Sequence, residues 1–282
     1  MSATRGLQGL RRRGTAAVLH LALAGLAAAT LLPLFAMVSA SLMPSGESTM
    51  TPPPWLPSRV TFEHYRHLFT RLSLGRTLAN SVLLAGSVTA LSLLVNSMAG
   101  YAFAKLRFAG RDRLFRALLS AMVVPAQVAM LPLFLLLKQL GLVNTYLGVI
   151  VPGMASIFGI FLVRLYALSL PDELLDAARV DGASEWRIYR SVILPLCRPV
   201  LVTLGVFTFM GTWNDFMWPL VVLTDDRLYT LPVALANLMG EHVQDNELMM
   251  AGSVLTVLPV LVLFLALQRH YVEGITLGGV KE

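Results

Sequence analysis

The sequence predicts an all-α, polytopic integral membrane protein with six transmembrane helices. Of its 282 residues, 56% are hydrophobic and only 13% are charged, whereas soluble domains normally carry about 25% charged residues. Stretches without Lys, Arg, Asp or Glu recur along the whole chain. A helix needs roughly 20 apolar residues to cross a bilayer, because lipid cannot satisfy an open backbone. Six spans follow, at about 16–42, 78–102, 117–138, 146–168, 200–222 and 249–268.

These spans divide the chain into five predicted segments. A tail, 1–14, precedes a first anchor helix within 15–43. We interpret this helix as an uncleaved anchor, because the apolar core of a secretory signal has only about 7–15 residues. The segment 44–77 is then a periplasmic or extracellular loop, 78–268 holds a core of five helices, and 269–282 is a second tail.

The distribution of basic residues predicts the orientation. Cytoplasmic segments of membrane proteins are enriched in Lys and Arg, and most of the 22 such residues fall on the side that carries both termini. Both termini are therefore predicted to be cytoplasmic. The net charge of +6 is explained by this topology and by contact with lipid headgroups, not by a nucleic-acid surface, since no aromatic residues are interleaved with a basic groove.

A dense polar segment, 170–195, separates spans four and five on the predicted cytoplasmic side. Pro171 and the acids after it suit the first turn of a helix. Gly182 suits the left-handed residue that ends the helix, and Ser184 is a good N-cap for a second one. Asp176 can pair with Arg179 three positions on. Such a capped helix–turn–helix indicates a docking element, the alternative being an ordinary connecting loop.

The spacing within this segment resembles the signature loop of permease subunits of binding-protein-dependent ABC importers. That signature is Glu-Ala-Ala, three residues, Gly, nine residues, Ile, one residue, Leu-Pro. The corresponding residues here are Asp176, Ala177, Ala178, Gly182, Val192, Leu194 and Pro195, with every spacing kept. Asp replaces Glu and Val replaces Ile.

Further stretches are similar to the maltose-type carbohydrate permeases, on the side of the smaller partner subunit. They are Asn80-Ser81, the segment 141–145, Trp213-Asn214-Asp215-Phe216 and the tail 271–281. The resemblance therefore covers nearly the whole chain and implies a type I ABC importer transmembrane fold.

The resemblance also implies partners and a role. The chain would form half of a translocation pore for a sugar or related polyol, in the plasma (inner) membrane of a bacterium. Its partners would be a second homologous permease subunit, a cytoplasmic ATPase dimer that holds ATP and Mg²⁺, an extracellular solute-binding protein and the lipid bilayer. The residues implied to dock in a groove of the ATPase are Asp176, Ala177, Ala178, Asp181, Gly182, Leu194 and Pro195. An ion-gradient-driven secondary transporter is the alternative.

The sequence lacks the motifs of an enzyme. It has no Gly-x-x-x-x-Gly-Lys-Ser/Thr phosphate loop, so the chain itself is not expected to bind ATP. The residues from His64 to His67 lack the His-Glu-x-x-His arrangement of a zinc site, and Ser156 lacks the nucleophile-elbow spacing. We therefore expect no catalytic residue, no metal and no cofactor in this chain.

A polar group within the fifth predicted span is a candidate for the substrate path. Trp213, Asn214 and Asp215 combine an aromatic face, an amide and a carboxylate, which sugar hydroxyls and rings require. The alternative is an interfacial aromatic belt in which Asp215 caps a helix. Asn96 and Gln127 also lie within spans, where they either line a path or make interhelical hydrogen bonds.

Overall fold

The computed structural model describes residues 2–70, 73–241 and 245–278. Over these residues it contains helices and turns but no strand, and the predicted all-α class is confirmed. In chain order the helices are α1 Ser2–Ser41, α2 Glu63–Thr70, α3 Leu74–Lys105, α4 Arg111–Ala121, α5 Ala126–Gln139, α6 Leu147–Gly153, α7 Ile157–Leu168, α8 Asp172–Val180, α9 Glu185–Ile188, α10 Leu194–Leu196, α11 Arg198–Trp213, α12 Met217–Val222, α13 Leu231–Glu241 and α14 Asn246–Gly278. A π-helical turn, Tyr189–Ile193, and a 3₁₀ turn, Asp226–Leu228, complete the set.

Four of the described helical segments are long and apolar enough to cross a membrane. They are Val18–Ser41, Leu74–Lys105, Leu147–Leu168 and Asn246–Ala266. Two pairs of sharply bent helices raise the number to six if each pair is one span. Both predicted tails are helical where described, as parts of α1 and α14, and residues 279–282 lie outside the described residues.

The third predicted span is not a continuous helix. We expected one helix over 117–138, but α4 and α5 meet at 105° across a break that ends at Pro125. Proline has no N–H to donate and forces the residue before it out of the helical region. Hydropathy detects the apolar run on either side of Pro125 but not this bend.

The fifth predicted span, 200–222, is also interrupted. Helix α11 ends at Trp213 and α12 begins at Met217. Short polar side chains compete with helical hydrogen bonds, and two of them occupy the break. The Asn214 amide donates to the Met210 carbonyl at 2.9 Å, and an Asp215 carboxylate oxygen accepts from the Trp218 N–H at 3.3 Å.

The chain forms two compact units, one of 1–72 with 238–257 and the other of 73–237 with 258–282. In the first unit, polar contacts fold the predicted outer loop. Glu247 accepts from the Ser48 N–H at 2.7 Å and Glu47 accepts from the Ser58 N–H at 2.8 Å. The His64 ring lies 2.9 Å from the Met43 carbonyl.

The core of the second unit is built on α3, which packs against α7 and α11. Small residues permit a close approach between helices. A Cβ added to Gly100 would lie 2.7 Å from the Val163 Cβ. The fully buried Asn96 donates to Ser92 at 2.7 Å and accepts from the Ser156 N–H at 3.0 Å. Asn96 therefore joins α3 to the start of α7 and, being fully buried, does not line a path.

Candidate functional site

The polar segment forms the predicted helix–turn–helix. Helix α8 follows Pro171 and is capped at its end by Asp181. Gly182 has φ +76°, in the left-handed region that glycine adopts without strain. The Ser184 hydroxyl then accepts from the Arg187 N–H at 3.3 Å and caps α9. Each of these features follows from a local sequence signal.

The two faces of α8 differ in their exposure. Leu175 is buried, and Ala178 packs against the same core of the second unit. Leu174, Ala177 and Val180 are exposed on the other side. Of the two alanines that the resemblance implies to dock, Ala177 is therefore exposed and Ala178 packs partly inward. We call Leu174, Ala177 and Val180 the outer face of α8.

A chain of ion pairs joins the two halves of the segment. The Arg179 guanidinium donates to Asp176 at 2.8 Å and to Glu185 at 3.0 Å. The first of these pairs confirms the contact predicted from the three-residue spacing. The hydrogen bonds to Glu185 and then to Asp176 raise the pKa of Arg179. Asp176 remains largely exposed despite its pair.

The electrostatics of Glu185 keep this connection intact near neutral pH. Hydrogen bonds from Arg179 and then from the Tyr101 hydroxyl hold the pKa of Glu185 below its usual value. The contribution of a carboxylate with a lowered pKa is present above its unfolded pKa, which is about 4.3 for Glu. It is lost only when the pH falls through the lowered folded-state pKa.

Helix α3 contacts the polar segment through three side chains spaced four residues apart. Such a spacing places them on one face of a helix. The contacts join Ser97 to Tyr189 at 2.7 Å, Tyr101 to Glu185 at 2.6 Å, and Lys105 to Asp172 at 2.5 Å. Lys105 also donates to the Leu170 carbonyl at 2.7 Å. We call Ser97, Tyr101 and Lys105 the α3 ladder.

Sequence reasoning missed the α3 ladder and its partner Glu185. The contacts link residues between 67 and 92 positions apart, a distance at which no local pattern applies. One signal was visible, since the end of the second span carries a polar side chain at every fourth position. The hydrogen bond from Lys105 lowers the pKa of Asp172 in this contact.

The end of the polar segment leads into α11 through the π-helical turn. Leu194 is half-buried against the core that contains Ile193, and Pro195 is exposed. The segment Glu185–Leu196 meets α11 at 78°. Of the residues implied to dock, Asp176, Ala177, Asp181, Gly182 and Pro195 are therefore exposed, whereas Ala178 and Leu194 pack partly inward.

The substrate-path candidates separate in the structure. The Trp213 side chain is 1% exposed and stacks on Phe209, with ring centroids 5.8 Å apart. Trp213 is therefore not an open aromatic platform, and this expectation is corrected. Asn214 is exposed, and Asp215 lies at the break between α11 and α12, where it caps α12.

Asp215 lines a cavity of about 300 Å³ in the second unit, together with Gln127, Thr212 and Trp218. The Trp218 indole N–H donates to the Gly148 carbonyl at 3.1 Å, which fixes the ring. The cavity thus combines a carboxylate, an amide, a hydroxyl and an aromatic face. The aromatic side chain that lines the cavity beside Asp215 is Trp218, not Trp213.

The family of binding-protein-dependent transport system inner membrane components matches residues 72–276. The chain belongs to this family. It is a multi-pass membrane permease of an ABC importer and a transport component, not an enzyme. Nothing in the comparisons supports the ion-gradient alternative.

Two relatives support this assignment, and one solved structure supports the fold. The arabinooligosaccharides transport system permease protein AraQ of Halalkalibacterium halodurans is 40% identical over 252 residues, covering 88% of the permease and 90% of AraQ. The lactose transport system permease protein LacG of Rhizobium radiobacter is 37% identical over 220 residues, covering 78% and 80%. The crystal structure of a bacterial ABC transporter involved in the import of the acidic polysaccharide alginate has a chain with a TM-score of 0.81 at 24% identity, covering 91% of the permease and 96% of that chain. The predicted ABC importer fold is confirmed.

Proposed function

We propose that the permease forms half of a heterodimeric pore that imports a sugar or related polyol across a bacterial plasma membrane. The names of its relatives, which transport arabinooligosaccharides and lactose, support this substrate class. A second homologous permease subunit completes the pore, and an extracellular solute-binding protein delivers the substrate. A cytoplasmic ATPase dimer binds ATP and Mg²⁺ and supplies the work.

The observation that carries the proposal is that α8 is bonded to α3 on one side and exposed on the other. Its outer face is available to a partner, since Leu174 is 45% exposed and Val180 is 88% exposed. Its inner side is fastened to α3 by the α3 ladder, in part through Glu185 and Arg179. A partner that binds the outer face and displaces α8 therefore also displaces α3, which is long enough to cross the membrane. This is what coupling ATP hydrolysis to transport requires.

The cavity beside Asp215 is the proposed contact with the substrate. Its carboxylate, the Gln127 amide and the Thr212 hydroxyl offer acceptors and donors to sugar hydroxyls, and Trp218 offers a flat apolar face. A break in a membrane helix is tolerated where the backbone is buried or lines a cavity. The break at Asn214 to Phe216 fits the second case.

Removing a hydrogen bond of the α3 ladder should uncouple the importer. We expect Tyr101→Phe and Glu185→Gln each to lower the ratio of uptake to ATP hydrolysis by up to about tenfold. Hydrogen bonds to charged groups contribute about 1.5–3 kcal/mol. The effect of Tyr101→Phe is at the lower end because Arg179 still holds Glu185. The measurement is uptake and ATP hydrolysis by the complex in proteoliposomes.

The matched control is Tyr166→Phe, because the Tyr166 side chain packs against the same core and its hydroxyl makes no hydrogen bond among the described residues. The double variant Tyr101→Phe/Glu185→Gln should lose less than the product of the two single effects, since Tyr101→Phe removes the donor of the contact that Glu185→Gln weakens. A wild-type ratio in both single variants would refute the transmission route.

The proposed topology has both termini in the cytoplasm and α8 on the same side. In a Cys197→Ser background, Thr49→Cys should react with an impermeant maleimide in intact cells, whereas Arg187→Cys should react only after permeabilisation. Both positions are exposed, unlike Glu47 in the same outer loop, which is buried. Labelling of Arg187→Cys in intact cells is the result that reverses the orientation.

A further inference from the structure

A basic surface at the start of α4 is not explained by transport. Arg107, Arg111, Arg113 and Arg116 line one open cavity of about 740 Å³. We call these four residues the arginine surface. The one acid that lines the cavity, Asp112, is already held by the Arg111 guanidinium at 3.0 Å.

The charge of the arginine surface is only partly compensated, although Arg107 and Arg111 also line a second cavity that contains Asp172 and Asp176. Arg107, Arg113 and Arg116 are exposed, and none of the three forms an ion pair among the residues that the structure describes. The positive end of the α4 dipole adds to their charge. Four clustered guanidinium groups repel one another, so an anion at this surface would relieve the repulsion.

The packing of α4 places the arginine surface at the membrane interface. Helix α5 exposes apolar side chains, among them Val128 and Leu131, as a helix that faces lipid does. Phe115 of α4 packs beside Phe103 and Arg164, which lie near the ends of α3 and α7, so α4 lies at the level where these two spanning segments end. It is then an interfacial helix, with charges at headgroup level.

Apolar residues beside the arginines favour lipid over a soluble partner. Leu114 is 55% exposed and Phe108 is 42% exposed, and Val123, just after α4, is 83% exposed. The opposite side of α4 packs on the protein, where the Arg164 guanidinium lies 4.0 Å from the centre of the buried Phe115 ring. Arg164 is thus used within the fold and is not part of the arginine surface.

We propose that the arginine surface binds the phosphate headgroup of an anionic phospholipid, such as phosphatidylglycerol, while Leu114 and Phe108 contact its acyl chains. Guanidinium groups bind phosphate oxygens through paired hydrogen bonds. Each arginine near an anionic membrane surface strengthens binding about fivefold. The proposal requires only that α3 and the segment Leu147–Leu168 cross the membrane, and it is independent of the transported substrate.

The test places a reporter beside the surface. Leu114→Cys in a Cys197→Ser background is labelled with bimane, and the full-length permease, with the subunits that accompany it, is reconstituted in nanodiscs. Quenching by brominated phosphatidylglycerol is compared with quenching by brominated phosphatidylcholine at equal total bromine. We expect a several-fold preference for phosphatidylglycerol, which Arg107→Gln/Arg113→Gln should reduce to about equal quenching, since the loss of two arginines weakens binding by about 25-fold.

The charge-matched control is Arg59→Gln/Arg66→Gln, which removes two exposed arginines far from α4 in sequence and should retain the preference. Equal quenching by the two lipids, or an unchanged preference in Arg107→Gln/Arg113→Gln, would overturn the proposal. Absence of quenching by either lipid would assign the surface to a protein partner. Loss of the preference on adding soluble glycerol phosphate would assign it to a free phosphate.

Discussion

Gly182→Val should abolish the coupling of ATP hydrolysis to uptake while leaving membrane insertion unchanged. The residue has φ +76°, and a β-branched side chain in this region costs about 1–3 kcal/mol. A Cβ added to Gly182 would meet nothing within 4 Å, so the valine side chain does not clash with the rest of the permease. The cost falls instead on the turn between α8 and α9, and the outer face of α8 shifts with it. The measurement is substrate-stimulated ATP hydrolysis and uptake in liposomes.

Gly182→Asn separates the two ways in which a side chain could act here. Asn tolerates the left-handed region, so it removes most of the strain while keeping the bulk. If strain is decisive, Gly182→Asn retains coupling; if the ATPase packs against this turn, both variants lose it. Gly110→Val is the matched control, because Gly110 has φ +82° with open space around it but lies at the start of α4. Wild-type coupling in Gly182→Val would mean that this turn does not position α8.

Asp215→Ala should reduce uptake by a factor of about 10–150 without loss of assembly or of basal ATP hydrolysis. One hydrogen bond to a charged group contributes about 1.5–3 kcal/mol, which corresponds to that range. Asn214→Ala should have a smaller effect, since its amide is engaged with the Met210 carbonyl. Uptake by the reconstituted complex is the measurement, at substrate concentrations below half-saturation.

The capping role of Asp215 requires its own control. Asp215 also accepts the Trp218 N–H at 3.3 Å, and loss of an N-cap costs about 1 kcal/mol. Asp215→Asn keeps a side chain that caps well but lacks the charge, so uptake should remain low if the carboxylate binds substrate. Restored uptake in Asp215→Asn, or normal uptake in Asn214→Ala/Asp215→Ala, would leave Asp215 with a structural role only.

Local signals predicted the polar segment well. The end of α8 at Gly182, the cap at Ser184 and the pair between Asp176 and Arg179 each depend on residues within four positions of one another. Interactions of this range are decided by the sequence of one turn. The resemblance to the family motif adds the expectation that this segment docks on the ATPase.

The bends and the long-range contacts could not be predicted in the same way. Hydropathy measures the length of an apolar run, so it did not detect the breaks at Pro125 and Asn214. The sequence Leu174-Leu175-Asp176-Ala177-Ala178 could not show that Ala178 packs inward, because apolar residues occupy both the buried and the exposed side of α8. The hydrogen bond between Tyr101 and Glu185 joins residues 84 positions apart and exists only in the folded chain.

The spacing of the α3 ladder has a mechanical consequence. Ser97 and Lys105 are eight residues apart, which corresponds to about 12 Å along the helix axis. Two supports at that separation hold a rod against pivoting about either one. If Lys105 shifts sideways by about 1 Å relative to Ser97, α3 tilts by about 5°. Its other end at Leu74, roughly 35 Å from Ser97, then moves by about 3 Å. The helix of 32 residues then acts as a lever whose short arm lies at α8 and whose long arm crosses the membrane.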